Sequence, residues 1–194
     1  MMTDPQRRKA ALRAEMRTTM HGLSVEKRDQ SAAALCARFR QSDIWKSANA
    51  ILLFAPLATE PDLWPLVGEA LAEQKIIGLP RFATARGVYV AAQVRELATD
   101  IVCGKFQIRE PGATCPELVL TAFDLVLVPG VAFDPRGRRL GRGRGYYDRL
   151  LSEVRGVKCG VAFEEQVVGE VPAEPHDTGV DCVVTPTRWI KVKS

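Results

Sequence analysis

The chain has 194 residues, 46% hydrophobic and 26% charged, enough for a single domain, 1–194, with an ample core. Its formal net charge of +4 and isoelectric point near 8.9 suit an anionic ligand but are too mild to demand nucleic acid. Five cysteines, odd in number and without a Cys-x-x-Cys spacing, indicate neither a disulfide framework nor a structural zinc site, and no apolar run reaches membrane-spanning length.

Thr3-Asp4-Pro5 opens a predicted helix over 5–21, with a capping side chain followed by proline in the first turn. Leu12, Met16, Met20 and Leu23 give it a packing stripe. Lys9, Arg13 and Arg17 repeat every four residues beside that stripe. Spacing alone reads them as a solvated basic face, the alternative being a stripe turned toward a ligand. The segment from Thr3 to Arg17 is charged throughout, unlike a secretory signal, so a reducing cytoplasm is the expected setting. Gly22 ends this helix and Ser24 caps a second, 24–41, whose Ala32, Leu35, Cys36 and Phe39 face inward. The helical pair 4–41 is expected to pack on an α/β core.

Ala48 to Phe54 is a continuous apolar run, the mark of a strand buried on both faces and paired in parallel. Loops after such strands build ligand sites, which makes Glu60 a site candidate; equally, it is an acid favouring the N-terminus of the helix marked by Leu63, Leu66, Val67, Ala70 and Leu71. Lys75 to Leu79 is the next strand, with Arg81 just past its end, and Gly87 to Val94 an antiparallel or edge strand. The stretch 98–118 has poor periodicity and reads as a long loop with a short strand. Asp124 to Pro129 is a second fully buried strand, Val157 to Phe163 another, and Asp181 to Thr185 the last core strand; Glu164 to Gln166 begins a turn or short helix. Strands alternating with helices predict an α/β fold with a mostly parallel sheet and helices on both faces.

The most informative stretch is Gly137 to Leu150. Gly137, Gly141, Gly143 and Gly145 alternate with Arg136, Arg138, Arg139, Arg142 and Arg144, and Tyr146, Tyr147 and Asp148 then begin a helix. Glycines allow positive φ and bring backbone N–H groups close to a ligand, arginines supply forked donors for phosphate oxygens, and a following helix adds its dipole. The chemistry indicated is polyanion binding, most simply a nucleoside triphosphate. Glycine/arginine tracts also occur as disordered RNA-binding segments, but those are seldom embedded between two core strands.

Asp124-Leu-Val-Leu-Val-Pro-Gly-Val-Ala-Phe-Asp134 followed by Arg139-Leu-Gly-Arg-Gly-Arg-Gly-Tyr-Tyr-Asp-Arg149 resembles the signature of the 5-formyltetrahydrofolate cyclo-ligase family. The resemblance extends over essentially the whole chain: the basic first helix, Glu60, Pro80-Arg81, Glu110-Pro111, and a pattern from Gly160 to Thr185 that includes His176-Asp177. It implies a three-layer α/β/α fold with a mostly parallel sheet, like ribose-5-phosphate isomerase and CoA transferases. It also implies ATP- and Mg2+-dependent closure of 5-formyltetrahydrofolate to 5,10-methenyltetrahydrofolate.

Carried over residue by residue, the resemblance gives ATP contacts to Lys9 and Arg13 and to the loop of Arg139, Leu140, Gly141, Arg142, Gly143, Arg144, Gly145, Tyr146 and Tyr147. It assigns the folate to Ala55, Glu60, Arg81 and Phe106, with Arg142, Gly143, Arg144, Gly145 and Tyr146 bordering it. Arg142, Arg144 and Tyr146 are the expected catalytic residues, and Asp148 and Asp177 the expected magnesium ligands. Tyr146 and Tyr147 either stack on flat rings or pack into the core. His21 and His176 are expected to be structural. A small-molecule enzyme with neither nucleic acid nor membrane as partner, acting as a monomer, is the expectation; a non-catalytic nucleotide or folate binder on the same fold is the competing reading.

Overall fold

A computed structural model of the chain describes residues 4–104 and 107–192. The first helix, α1 (Asp4–His21), is followed by α2 (Val25–Gln41), where Ser24 accepts from the Lys27 N–H as the N-cap, and by a short α3 (Asp43–Ser47) capped in the same way by Ser42. The chain then enters β1 (Ala50–Leu52), α4 (Trp64–Ala72), β2 (Ile76–Ala83) and β3 (Val88–Val94). A small excursion follows: α5 (Leu97–Asp100), β4 (Ile101–Cys103), β5 (Arg109–Pro111) and β6 (Glu117–Leu118). The remainder comprises β7 (Leu125–Val128), β8 (Ala132–Phe133), β9 (Arg139–Leu140), α6 (Tyr146–Ser152), β10 (Val157–Val161), β11 (Cys182–Val184) and β12 (Trp189–Lys191).

Among the described residues the main sheet has the order β12-β11-β10-β7-β1-β2-β3-β6. The five central strands are parallel, and antiparallel strands close both edges. The apolar runs account for the centre: every residue of β1, β7 and β11 is buried, as a strand covered on both faces requires. Alternation then sorts side chains between two layers. Ile51, Leu53, Leu125 and Leu127 face Leu35 and Phe39 of α2, Trp45 of α3 and Leu66 of α4. Leu52, Val126, Val128 and Val183 face Leu150 and Leu151 of α6 and Phe133 of β8. The first two helices do not pack as one unit: α2 joins the first cluster, whereas Met16 of α1 packs with Ala132, Leu140 and Val171.

Several expectations change here. The strand expected at Lys75 to Leu79 runs on through Ala83, so Arg81 lies within β2, opposite Val90, and not beyond a strand end. The stretch 98–118, expected to be mostly loop, holds the β4–β5 hairpin and β6. The loop after β7 contains a second small hairpin, β8–β9, and a C-terminal edge strand, β12, follows the last expected core strand.

The topology fixes where a ligand can sit. From β1 the chain crosses to β2 on one side; from β7, the other neighbour of β1, it crosses to β10 on the opposite side. The crossovers diverge between β1 and β7, and in open α/β sheets the crevice beyond the strand ends at such a point is where ligands bind.

Candidate functional site

Two cavities meet in that crevice, with the glycine–arginine loop as the wall between them. The first, about 260 Å³, is lined by Phe54, Ala55, Leu57 and Glu60 after β1, Pro129 and Gly130 after β7, Tyr89 of β3, Ile108, and the loop from Arg139 to Asp148. The second, about 630 Å³, is lined by Lys9 and Arg13 of α1, the same loop, and Glu174, His176, Asp177 and Thr178. Arg139, Gly141, Gly143, Gly145 and Asp148 line both.

The loop's shape follows from its glycines and one buried acid. Gly137, Gly143 and Gly145 have φ of +77°, +91° and +64°, the left-handed region that glycine occupies without penalty. Gly141 serves differently: a Cβ there would stand 3.1 Å from the Arg139 guanidinium. Asp134, fully buried, accepts from the Arg136 and Arg138 N–H groups with one oxygen and from the Val171 N–H with the other, which fixes the β8–β9 turn. Gln166, also buried, accepts from the Phe163 N–H and donates to the Gly130 carbonyl, holding the start of the loop.

Charges in the second cavity are matched. Lys9 is buried and donates to Asp177 at 2.6 Å and Glu174 at 2.8 Å. Burial works against its charge, yet those two carboxylates outweigh it and raise its pKa; Asp177, likewise partly desolvated, is held below the usual carboxylate range by Lys9 and the Glu174 N–H. Arg13 donates Nε–H to the Gly141 carbonyl at 2.8 Å, docking α1 on the loop. Lys9 and Arg13 are therefore turned inward, and Arg17 remains exposed. Arg139, its side chain 3% exposed, donates to Asp148 at 2.6 Å. Its buried Nε finds no partner among the described residues. The guanidinium thus keeps one buried N–H donor without a partner among the described residues, in a residue that lines both cavities.

Aromatic rings form one part of the first cavity's lining, through Phe54, Tyr89, Tyr146 and Tyr147. Tyr146 packs edge-on against Phe82 at 5.6 Å and Tyr89 at 5.3 Å between centroids. Tyr147 touches both core layers while still lining the cavity, and burial, then Glu60, raises its hydroxyl pKa. Both tyrosines thus pack and line at once. Glu60 is buried, accepting from the Leu57 N–H at 3.0 Å and from Arg142 at 2.9 Å. The helix reading of Glu60 falls away: α4 begins at Trp64 with no acid in its first turn, and Asp62 accepts from the Trp64 N–H.

Of the residues singled out from sequence, Lys9, Arg13, Asp148 and Asp177 converge on the second cavity, and Ala55, Glu60, Arg142, Arg144, Tyr146 and Tyr147 on the first. Leu140 lines the second cavity. Arg81 is not brought to either: it donates to the Gly112 and Cys115 carbonyls at 2.8 Å and pairs with Glu117, bracing the 112–117 segment. Phe106 lies outside the described residues. Sequence reasoning missed Tyr89, Ile108 and Glu174 as lining residues. Tyr89 carried a signal, an aromatic on one face of an alternating strand, and Glu174 stood three residues before Asp177; Ile108 carried none.

The fold and site define an α/β protein with two dissimilar cavities on either side of a shared glycine–arginine loop. The model of the 5-formyltetrahydrofolate cyclo-ligase family matches residues 5–186. The 5-formyltetrahydrofolate cyclo-ligase of Mycolicibacterium smegmatis is 30% identical over 189 residues, covering 95% of this chain and 96% of the relative. That of Mus musculus is 29% identical, covering 91% and 92%. The NMR structure of Aquifex aeolicus 5,10-methenyltetrahydrofolate synthetase superposes with a TM-score of 0.87 at 32% identity, covering 96% of this chain and 93% of that one. The chain belongs to the 5-formyltetrahydrofolate cyclo-ligase family.

Proposed function

We propose that the chain catalyses ATP- and Mg2+-dependent closure of 5-formyltetrahydrofolate to 5,10-methenyltetrahydrofolate, releasing ADP and phosphate. The observation that carries this reading is the pair of cavities: an aromatic one suited to a flat pterin and a charged one suited to a triphosphate, with a single glycine–arginine loop bordering both. A formamide carbonyl is a poor electrophile for N10. Transfer of the γ-phosphoryl to the formyl oxygen makes that oxygen a leaving group; N10 then forms the new C–N bond, its proton passes to solvent, and phosphate departs.

Such a transfer needs positioning and charge neutralisation more than covalent participation by the protein. Lys9, Arg13 and Arg139 line the phosphate side, Arg142 and Arg144 line the folate side, and the glycines between them let the backbone approach the developing negative charge. Glu60 offers its carboxylate to the pterin amide and amine edge while Leu57 and Arg142 hold it. Tyr146 lies against the flat ring, itself set by Phe82 and Tyr89.

Asp148 and Asp177 both line the charged cavity, and among the described residues no group of three metal-ligating side chains occurs. That donor set fits a nucleotide-borne magnesium ion, which takes one or two carboxylates and completes its shell with phosphate oxygens and water. Held by Asp148 and Asp177, such an ion would supply neutralisation of phosphate charge. The deciding experiment mixes protein, Mg-ATP and 5-formyltetrahydrofolate and follows methenyl absorbance and ADP together. Absence of both products overturns the reading.

A further inference from the structure

Beyond Gly78 one edge of β2 has lost its neighbour. The Ile76 N–H donates to the Asn49 carbonyl and the Gly78 carbonyl accepts from the Leu53 N–H, so β1 runs along that edge, and register between the two strands stops at Gly78. Backbone groups of alternate residues in a strand point the same way, which puts Pro80 and Phe82 next on the vacated edge. Pro80 has no N–H to satisfy. Phe82 has one, and it donates to a side-chain oxygen of Glu110, in β5, at 3.1 Å. Glu110 is 8% exposed and forms no ion pair among the described residues. Its carboxylate stands where the carbonyl of a neighbouring strand would be.

The β4–β5 hairpin is shaped to admit it. A Cβ on Gly104 would fall 2.0 Å from the same carboxylate, so glycine is the residue that lets the hairpin close over it. Beside that hydrogen bond are rings of the aromatic cavity: Phe82 pairs with Tyr89 across β2 and β3, and both lie edge-on to Tyr146. Tyr89 and Tyr146 line the cavity. Burial, then the Glu110 charge, raises the Tyr89 hydroxyl pKa, which sets the carboxylate close to that ring. Resting on the cyclisation reading, we propose that Glu110 is a positioning residue for the folate side: by holding the Phe82 backbone it sets the Phe82–Tyr89 pair that orients Tyr146 in the cavity. An amide oxygen could accept the same bond, so the role belongs to the acceptor and the length of the side chain, not to its charge.

The test measures KM for 5-formyltetrahydrofolate and for ATP, with deuterium exchange at the Phe82 amide, in the wild type, Glu110→Ala, Glu110→Gln and Gly104→Ala. Glu110→Ala frees the Phe82 N–H and speeds its exchange. It raises the folate KM about tenfold, the size of one lost buried hydrogen bond, and leaves the ATP KM within about twofold because these rings border the folate side. Glu110→Gln brings the folate KM back to within about threefold of the wild type, since its amide oxygen still accepts. Gly104→Ala keeps Glu110 but drives a methyl into its carboxylate, and reproduces the effect of Glu110→Ala. A merely structural role lowers the active fraction, so that kcat falls while both KM values hold. That result overturns the assignment, as does a folate KM unmoved by Glu110→Ala and Gly104→Ala, or a Glu110→Gln variant no better than Glu110→Ala. Absence of wild-type turnover overturns the cyclisation reading as well, which separates the two failures.

Discussion

Arg139 and Asp148 meet at 2.6 Å inside the wall that divides the two cavities, tying the β8–β9 hairpin to the first turn of α6. The guanidinium is almost wholly buried and the carboxylate only partly so. Removing the cation strands a half-desolvated acid. Arg139→Met is expected to lower stability by about 2 kcal/mol, less than a fully buried pair costs because Asp148 keeps contact with solvent. Arg139→Lys should recover less than half, since an ammonium reproduces the charge but not the fork. Urea denaturation measures both; a midpoint unmoved by Arg139→Met would show that the pair contributes no stability.

Tyr146 separates ring from hydroxyl. Its edge-on contacts with Phe82 and Tyr89 use only the ring. Tyr146→Phe should therefore bind 5-formyltetrahydrofolate within about threefold of the wild type, whereas Tyr146→Ala should weaken it at least tenfold, on the scale of lost aromatic contact. Calorimetric titration without nucleotide checks this. Equal losses in the two variants would transfer the role to the hydroxyl.

At Glu60 the expected signature is in binding. Glu60→Gln can still accept from the Leu57 N–H, but its amide group then faces Arg142 and removes the negative charge offered to the pterin edge. On the proposed reading KM for the folate should rise at least tenfold with kcat changed far less, because the carboxylate is assigned to a part of the substrate remote from the reacting bonds. A fall in kcat at constant KM would move Glu60 to the chemical step.

Acid stability rests on a different residue. Burial alone would raise the Glu164 pKa, but the Thr185 and Thr187 hydroxyls, the Thr187 N–H and Arg188 outweigh it and hold the group at about 2. A depressed folded-state value stabilises the protein above the unfolded pKa of 4.5, and the contribution is lost as pH falls from there toward 2. Glu164→Gln should be less stable than the wild type near neutrality by on the order of 1 kcal/mol, discounted for solvent screening, and the difference should vanish near pH 2. Thermal unfolding across pH reads the two curves; a constant offset at every pH would argue against this linkage.

The central strands were legible because β1 and β7 are uninterrupted apolar runs, and the loop was legible because its glycines and arginines carry their chemistry locally. Pro80 misled the reading of β2 as ending there. Register with β1 stops at Gly78, and β2 continues paired only to β3, so proline sits where one edge needs no donor. The two small hairpins have strands of two or three residues, too short for alternation to register. Lys9 looked like part of a solvated stripe because its partners, Glu174 and Asp177, stand more than 160 residues away in sequence. Local spacing has no access to such a pairing. Glu60 was ambiguous for the converse reason: its distance from α4 depends on the loop path, which the Leu57–Glu60 turn sets.

The wall common to both cavities is expected to couple their occupancies. Arg139, Gly141, Gly143, Gly145 and Asp148 line each side, so a ligand that settles the backbone from one side is expected to alter the free energy of filling the other. Such a linkage is reciprocal by thermodynamic necessity: the factor by which nucleotide changes folate affinity must equal the factor by which folate changes nucleotide affinity. Paired titrations with a non-hydrolysable nucleotide would return that factor from both directions. A factor of one would mean that the two ligands use opposite sides of a rigid partition.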